Sequence, residues 1–337
     1  MRFVIYGAGA IGGVVGARLH QSGHDVALIA RGEHLRMIRS QGLTLQSPVE
    51  RSVLELPAAE DLEQLGVGAE EDVILLAVKG QDTPGALAAL RAAGAPATTP
   101  IICLQNGVEN ERLALRMFAD VYGAVIMLPA AHLEPGVVLA YGAKATGIID
   151  IGRYPTGSDD LCEQVAVAFR ASQLSSHVSP DVMRLKYAKL LLNLGNAVEA
   201  LCGPGEASDE LTEQARAEGR AVLGAAEIDA DDANVDDLEG RWARIGVREI
   251  EGSPRAGSSS WQSLARGTGA IETDFLNGEI VLLGRLHGVP TPINTALVEL
   301  AARHARAGTP PGTLTTEDVL AAAAGRLTRP PAERRPA

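Results

Sequence analysis

The sequence predicts two domains: a doubly wound α/β domain built on a parallel sheet over residues 1–178, and an all-helical domain over 179–327. Three observations carry this. Short runs rich in Val, Ile and Leu alternate with Ala-, Leu- and Arg-rich stretches of helical periodicity through the first half. A glycine pattern, Gly7-Ala8-Gly9-Ala10-Ile11-Gly12, directly follows the first of those runs. Beyond Ser179-Pro180 the strand signals fade and long apolar helical stretches take over.

In chain order, strands are expected at Arg2–Tyr6, Asp25–Ala30, Asp72–Val78, Pro100–Leu104 and Ala124–Leu128. These are short, largely apolar runs rather than clean alternations, as suits strands covered on both faces. Helical stretches such as Val14–Ser22 and Pro84–Ala93 fill the gaps and give a βαβ succession. Past the turn signal Pro135-Gly136, Val137–Ala140 with Thr146–Ile151 suggests a late antiparallel pair. In the second half the expected helices are Met183–Leu201, Ser208–Ile228 and Asn294–Ala307. The tail over 328–337, rich in Pro and Arg, reads as disordered.

Composition narrows the function. The 337 residues are 46% hydrophobic and 21% charged, which describes a soluble globular chain with room for two cores. A net charge of −12, with no Lys/Arg-rich block, argues against nucleic acid and anionic membranes as partners. No apolar run reaches the ~18–20 residues of a membrane span, and a strand starting at Arg2 leaves no room for a signal peptide. Three scattered cysteines, Cys103, Cys162 and Cys202, favour a reducing cytoplasm over disulfides or a metal site. Asp229, Asp231, Asp232, Asp236 and Asp237 lack the glycine and terminal glutamate of a calcium loop, so a solvated loop is expected. Only four of the 30 cationic side chains are lysine: Lys79, Lys144, Lys186 and Lys189. Where arginine is used almost everywhere else, a lysine is a candidate for work that needs a proton to leave.

The glycine pattern sits between a strand and a helix, which is the context of a dinucleotide fingerprint and points to a Rossmann-type domain. Gly7 permits the tight turn, Gly9 lets a pyrophosphate approach the backbone and Gly12 allows close helix packing. Ala8, Ala10 and Ile11 complete the candidate phosphate loop. A carboxylate at the end of the second strand would read as NAD. Here that place holds Ala30-Arg31-Gly32, so Arg31 is expected to pair with the 2′-phosphate of NADP, with Glu33 the complicating carboxylate two residues on. Two more strand ends, at Lys79 and at Gln105-Asn106-Gly107, point at the same crevice, although an Asn-Gly turn needs no ligand.

Lys186, Lys189, Asn193 and Asn196 are spaced 3, 4 and 3 apart, a polar stripe on an otherwise apolar helix. Such a stripe suits either a solvent face or the wall of a cleft. Ser258-Ser259-Ser260-Trp261-Gln262-Ser263 and the stretch from Ile271 to Gly278 are equally dense in polar groups, with no assignment from spacing alone.

Taken together, GAGAIG, the AR ending the second strand, VKG at Lys79, QNGVEN at Asn106, KLLLN over 189–193, SSSWQ from Ser258, IETDFLNGE around Glu272 and HGVPTPIN resemble the ketopantoate reductases over nearly the whole chain. The resemblance implies a Rossmann domain and a helical domain closing over NADPH and a 2-keto acid. It implies Lys189 as the catalytic lysine that protonates the ketone oxygen, with Glu272 beside the nicotinamide ribose and the second expected catalytic residue. It implies Asn193 and Ser259 at the substrate, Asn106 at both substrate and cofactor, and Lys79 and the Ala131 backbone at the cofactor. The family's second asparagine falls at Ala197, and Asn196, one place earlier, is the substrate candidate in its stead. Departures lie at Ala197, Ser260, Ser263 and Ile271.

These readings together predict NADPH-dependent reduction of a small 2-keto acid, most simply ketopantoate, in the cytoplasm, with a homodimer left open. The alternatives are a β-hydroxyacid-type dehydrogenase of another keto acid and an NADPH-binding sensor without turnover. Lys186, one turn before Lys189, is expected to matter less than its neighbour.

Overall fold

A computed structural model describes residues 1–327 except 67, 70, 231–237, 256 and 268. The expected tail and the acidic cluster beyond Asp229 lie outside the described residues. The strands are β1 Arg2–Tyr6, β2 Asp25–Ile29, β3 Leu43–Gln46, β4 Arg51–Leu54, β5 Ala58–Ala59, β6 Asp72–Leu76, β7 Ile101–Cys103, β8 Val121–Met127, β9 Ala130–Ala131, β10 Val137–Ala140, β11 Gly147–Arg153 and β12 Leu174–Ser175. The first helices are α1 Ala10–Gln21, α2 Gly32–Gln41, α3 Thr83–Ala92, α4 Asn110–Leu115 and α5 Asp160–Ala171, followed by α6 Val182–Asn193, α7 Gly195–Cys202 and α8 Glu206–Ala225. No described helix is long and apolar enough to cross a membrane.

Eight strands form the main sheet in the order β12-β11-β8-β7-β6-β1-β2-β5. From β5 to β8 every neighbouring pair is parallel. The two-residue alternation of a strand sends its side chains to opposite faces, and both faces here meet apolar partners. Phe3, Ile5, Val73 and Leu75 join one cluster with Val14, Val15 and Leu19 of α1. Val4, Ile74 and Leu76 join the other with Ala86, Leu87 and Leu90 of α3. This is why the strands read as continuous apolar runs.

A smaller sheet, β4-β3-β10-β9, escapes the sequence reading. The expected pairing of Val137–Ala140 with Thr146–Ile151 does not form. β10 runs parallel to β3, Val137 opposite Thr44, and antiparallel to β9. β11 instead closes the outer edge of β8 in a ladder from Ile148↔Met127 to Arg153↔Tyr122. β8 is buried along its whole length and needs a partner on that edge.

The expected helix Met183–Leu201 is two helices, α6 and α7, separated at Leu194. Side chains capture the carbonyls there: Asn277 Nδ2 donates to Leu194 O at 3.1 Å, and the Arg216 guanidinium donates to Leu191 O and Leu192 O at 3.3 and 3.4 Å. Inserted donors of this kind interrupt a helical ladder.

The chain divides into two compact units, Met1–Lys189 with Ala230–Arg255, and Leu190–Asp229 with Ala256–Ala337. The expected boundary near 178 is earlier than this division, and the segment 230–255 belongs to the first unit. It is held there by Arg241 Nη1 on Asp150 Oδ2 at 3.0 Å and by Ile245 and Ile250, buried against Met127, Ile148, Leu139 and Tyr141. Every described element of the second unit is a helix. Asn294 donates to Ala215 O and Glu218 Oε2, Asn277 donates to Asn294 Oδ1, and Glu218 accepts the Ile293 and Asn294 amides at the start of the helix Pro292–Ala307. Asn277 and Asn294, prominent in the resemblance, are fully buried and serve the helix packing.

Candidate active site

In the first unit the strand order reverses at β1, between β2 and β6, and ligands of doubly wound sheets bind beyond the carboxyl ends of strands at such a point. The three strand ends are tied together there. Gly7 N and Ala8 N donate to Ile29 O, each at 3.1 Å, and Ala77 N donates to Tyr6 O at 2.9 Å.

The glycine loop is shaped by contacts that only hydrogen atoms permit. Gly7 has φ +106°, and a Cβ there would lie 2.8 Å from Val78 N. A Cβ on Gly12 would lie 2.1 Å from Gly7 O. Gly9 differs: a Cβ on it would meet nothing within 4 Å, so the space over the loop is open. Gly9 caps α1 without a side chain, and no acidic residue stands in the first turn of that helix. An uncapped, uncrowded helix N-terminus suits a pyrophosphate, so Gly7 to Gly12 fit the dinucleotide the sequence implies.

Arg31, after β2, is 79% exposed and reaches Asp82, after β6, at 3.9 Å, so its guanidinium spans the end of β1. Glu33 is paired with Arg36 on its own helix. Lys79 is half-buried and precedes the short turn Gly80–Asp82. Ala131 is fully buried in the small sheet.

Beyond β7, Gln105 and Asn106 form the turn that meets α6. Lys189 Nζ donates to Asn106 Oδ1 at 2.7 Å and to Ile126 O, where β8 continues past the end of β7. A lysine can only donate, so Asn106 turns its oxygen to the ammonium and its Nδ2 away from it. The solvent-face reading of the stripe fails at Lys186, which is almost fully buried and ion-paired with the buried Glu111 of α4. Lys186 is thus a structural group as well as a neighbour of Lys189: its removal would strand a carboxylate inside the protein.

Two features escaped sequence reading. Glu111 is one: burial raises its carboxyl above the ordinary value while Lys186 pulls it back. His34 is the other, joined to Ala8 O by Nε2 at 2.7 Å and to the Gly136 amide by Nδ1 at 2.8 Å. The two bonds fix a neutral ring with its proton on Nε2. Burial, with help from His132 at a ring separation of 4.1 Å, holds its pKa down to about 4. Both are isolated letters in the sequence, with partners far along the chain.

In the second unit, Asn193 ends α6 with its Nδ2 buried and without a partner among the described residues, and Asn196 lies in α7 with its carbonyl 3.5 Å from Ser258 Oγ. Ser258 caps the helix Ser259–Ala265, and the hydroxyls of Ser259 and Ser260 are buried without partners among the described residues. Glu272 is buried and opens a short 3₁₀ turn, beside the Thr273 hydroxyl, which has no partner among the described residues.

A glycine turn at the switch point of a parallel sheet receives a dinucleotide, and a lysine beyond the neighbouring strand ends can serve a carbonyl under reduction; the class is that of nicotinamide-dependent oxidoreductases. Comparison with known proteins narrows it. The family model described as Ketopantoate reductase PanE/ApbA matches residues 3–156, and its C-terminal counterpart matches 181–305. A 2-dehydropantoate 2-reductase of Halobacterium salinarum is 31% identical, covering 91% of this chain and all of its own. One from Pyrococcus horikoshii is 29% identical, over 88% of this chain and 95% of its own. The crystal structure of a PanE/ApbA family ketopantoate reductase from Ralstonia eutropha superposes with a TM-score of 0.75 at 30% identity, covering 91% of this chain and 99% of that one. The chain belongs to the ketopantoate reductase family, and with it to the NADP-dependent oxidoreductases that act on CH–OH groups.

Proposed function

We propose that the protein reduces 2-dehydropantoate (ketopantoate) to (R)-pantoate with NADPH, a step of pantothenate biosynthesis. The observation that carries this reading is the ammonium of Lys189, held beyond the strand ends by the Asn106 side chain and the Ile126 carbonyl. The cofactor, when bound, supplies hydride to the ketone carbon. Lys189 acts at the ketone oxygen, where it stabilises the developing negative charge and gives up a proton. Arginine could not do the second. Arg31 pairs with the 2′-phosphate, and the Gly7–Gly12 loop, Lys79, Ala131 and Glu272 hold the rest of the cofactor. Asn106, Asn193, Asn196 and Ser259 contact the substrate, as the resemblance implies.

One observation favours a second reading, a reductase of another 2-keto acid. The buried hydroxyls of Ser260 and Thr273 have no partner among the described residues, and a substrate richer in polar groups that reached them would satisfy them. The deciding experiment follows NADPH oxidation against a panel of 2-keto acids. The first reading expects the highest kcat/KM with ketopantoate. A different winner establishes the second, and NADPH binding with no turnover of any acid would leave only a sensor.

A further inference from the structure

The buried ion pair of Lys186 and Glu111 lies directly behind the turn that carries Asn106. Lys186 Nζ donates to Gln105 O at 3.1 Å as well as to Glu111 Oε1. The next carbonyl, Asn106 O, accepts from Asn110 Nδ2 at 3.1 Å. Asn110 Oδ1 accepts from Thr83 Oγ1 at 2.8 Å, and that hydroxyl accepts from Gln105 Nε2 at 3.1 Å. Both peptide oxygens of the turn are thus gripped from behind, and its side chains are gripped too. All five partners, Thr83, Gln105, Asn110, Glu111 and Lys186, are buried.

Such a pair is a poor way to gain stability. Desolvating two charges costs about as much as their attraction returns, and apolar replacements of like volume are often neutral or better. What apolar side chains could not supply is the donor on Gln105 O. Glu111 lets that donor be an ammonium without leaving a net charge buried one helical turn from Lys189.

We propose that Lys186 and Glu111 are positioning residues for the reduction, holding the Gln105–Asn106 turn so that Asn106 Oδ1 meets Lys189. This rests on the reductase reading above. The single variant Lys186→Ala would strand Glu111 and confuse folding with function. The test is therefore a charge-free swap, Lys186→Met with Glu111→Leu, made in the wild type and in an Asn106→Ala background.

In the wild-type background the swap should keep the melting temperature and leave KM for NADPH within about twofold, while kcat falls about 10- to 100-fold, the scale of a small misplacement of a reacting group. In the Asn106→Ala background it should change kcat by less than about twofold, because residues acting through one another are not additive. A swap with wild-type kcat, an equal loss in both backgrounds, or unfolding where the wild type is folded would each overturn the assignment. A wild type that turns over no 2-keto acid removes the reductase reading, and this inference with it.

Discussion

His34 makes a prediction about acid. Its ring bridges the glycine loop at Ala8 O and the turn at Gly136 N, and the second bond needs a bare Nδ1. Protonation would set one N–H against another. The folded pKa is lowered to about 4 from an ordinary 6.5, chiefly by burial and then by His132. A histidine depressed in this way contributes stability above the unfolded pKa, and loses it as pH falls toward the folded one. At ~1.4 kcal/mol per pKa unit the ceiling is roughly 3 kcal/mol. Water at the exposed edge of the ring screens part of that, and a scan from about pH 7.5 to about pH 5 samples only part of the window, leaving about 1–2 kcal/mol. The assay is urea unfolding followed by far-UV circular dichroism at both pH values, for wild type and for His34→Gln, which cannot titrate. Subtracting one profile from the other cancels the carboxylates common to both. The wild type should lose about 1–2 kcal/mol more than the variant on acidification. Superimposable profiles would refute the neutral bridging ring.

The remaining expectations concern cofactor and catalysis. Arg31→Ala should weaken NADPH by ~1.5–3 kcal/mol, the worth of a charge-assisted hydrogen bond, and hardly affect NADH; an unchanged ratio of the two KM values would count against the 2′-phosphate role. Its melting temperature should hardly move, since the side chain is 79% exposed. Lys189→Ala should lower kcat by ~10²–10⁴-fold with little change in the dissociation constant for NADPH. Lys189→Arg should fail as well, and near wild-type turnover by it would show that charge alone suffices.

What could be read in the sequence was local. β1, the glycine turn and α1 are contiguous, so their chemistry is spelled within a dozen or so letters. Arg31 and Lys79 follow strands that announce themselves. The small sheet was hidden because Thr44 finds Val137 far along the chain, and strands this short carry little signal of their own. Lys189 stood out as a scarce lysine, but the burial of Lys186 depends on Glu111 from another helix. The break between α6 and α7 likewise depends on Asn277 and Arg216, whose donors no local pattern reveals.

The assignment of residues 230–255 to the first unit has a consequence for synthesis on the ribosome. Asp150 meets Arg241, and Leu139 and Tyr141 meet Ile250, only after the first stretch of the second unit, Leu190–Asp229, has been made. In vectorial folding an amino-terminal domain finishes before the next begins; here the contacts of 230–255 can be added only after Leu190–Asp229 has been made. A nascent polypeptide halted at Lys189 would carry the glycine loop, Arg31, Asn106 and the lysine, yet lack the partners of Asp150, Leu139 and Tyr141. A fragment expressed from 1 to 189 would lack the same partners, so a single cut does not separate the whole of the first unit from the second.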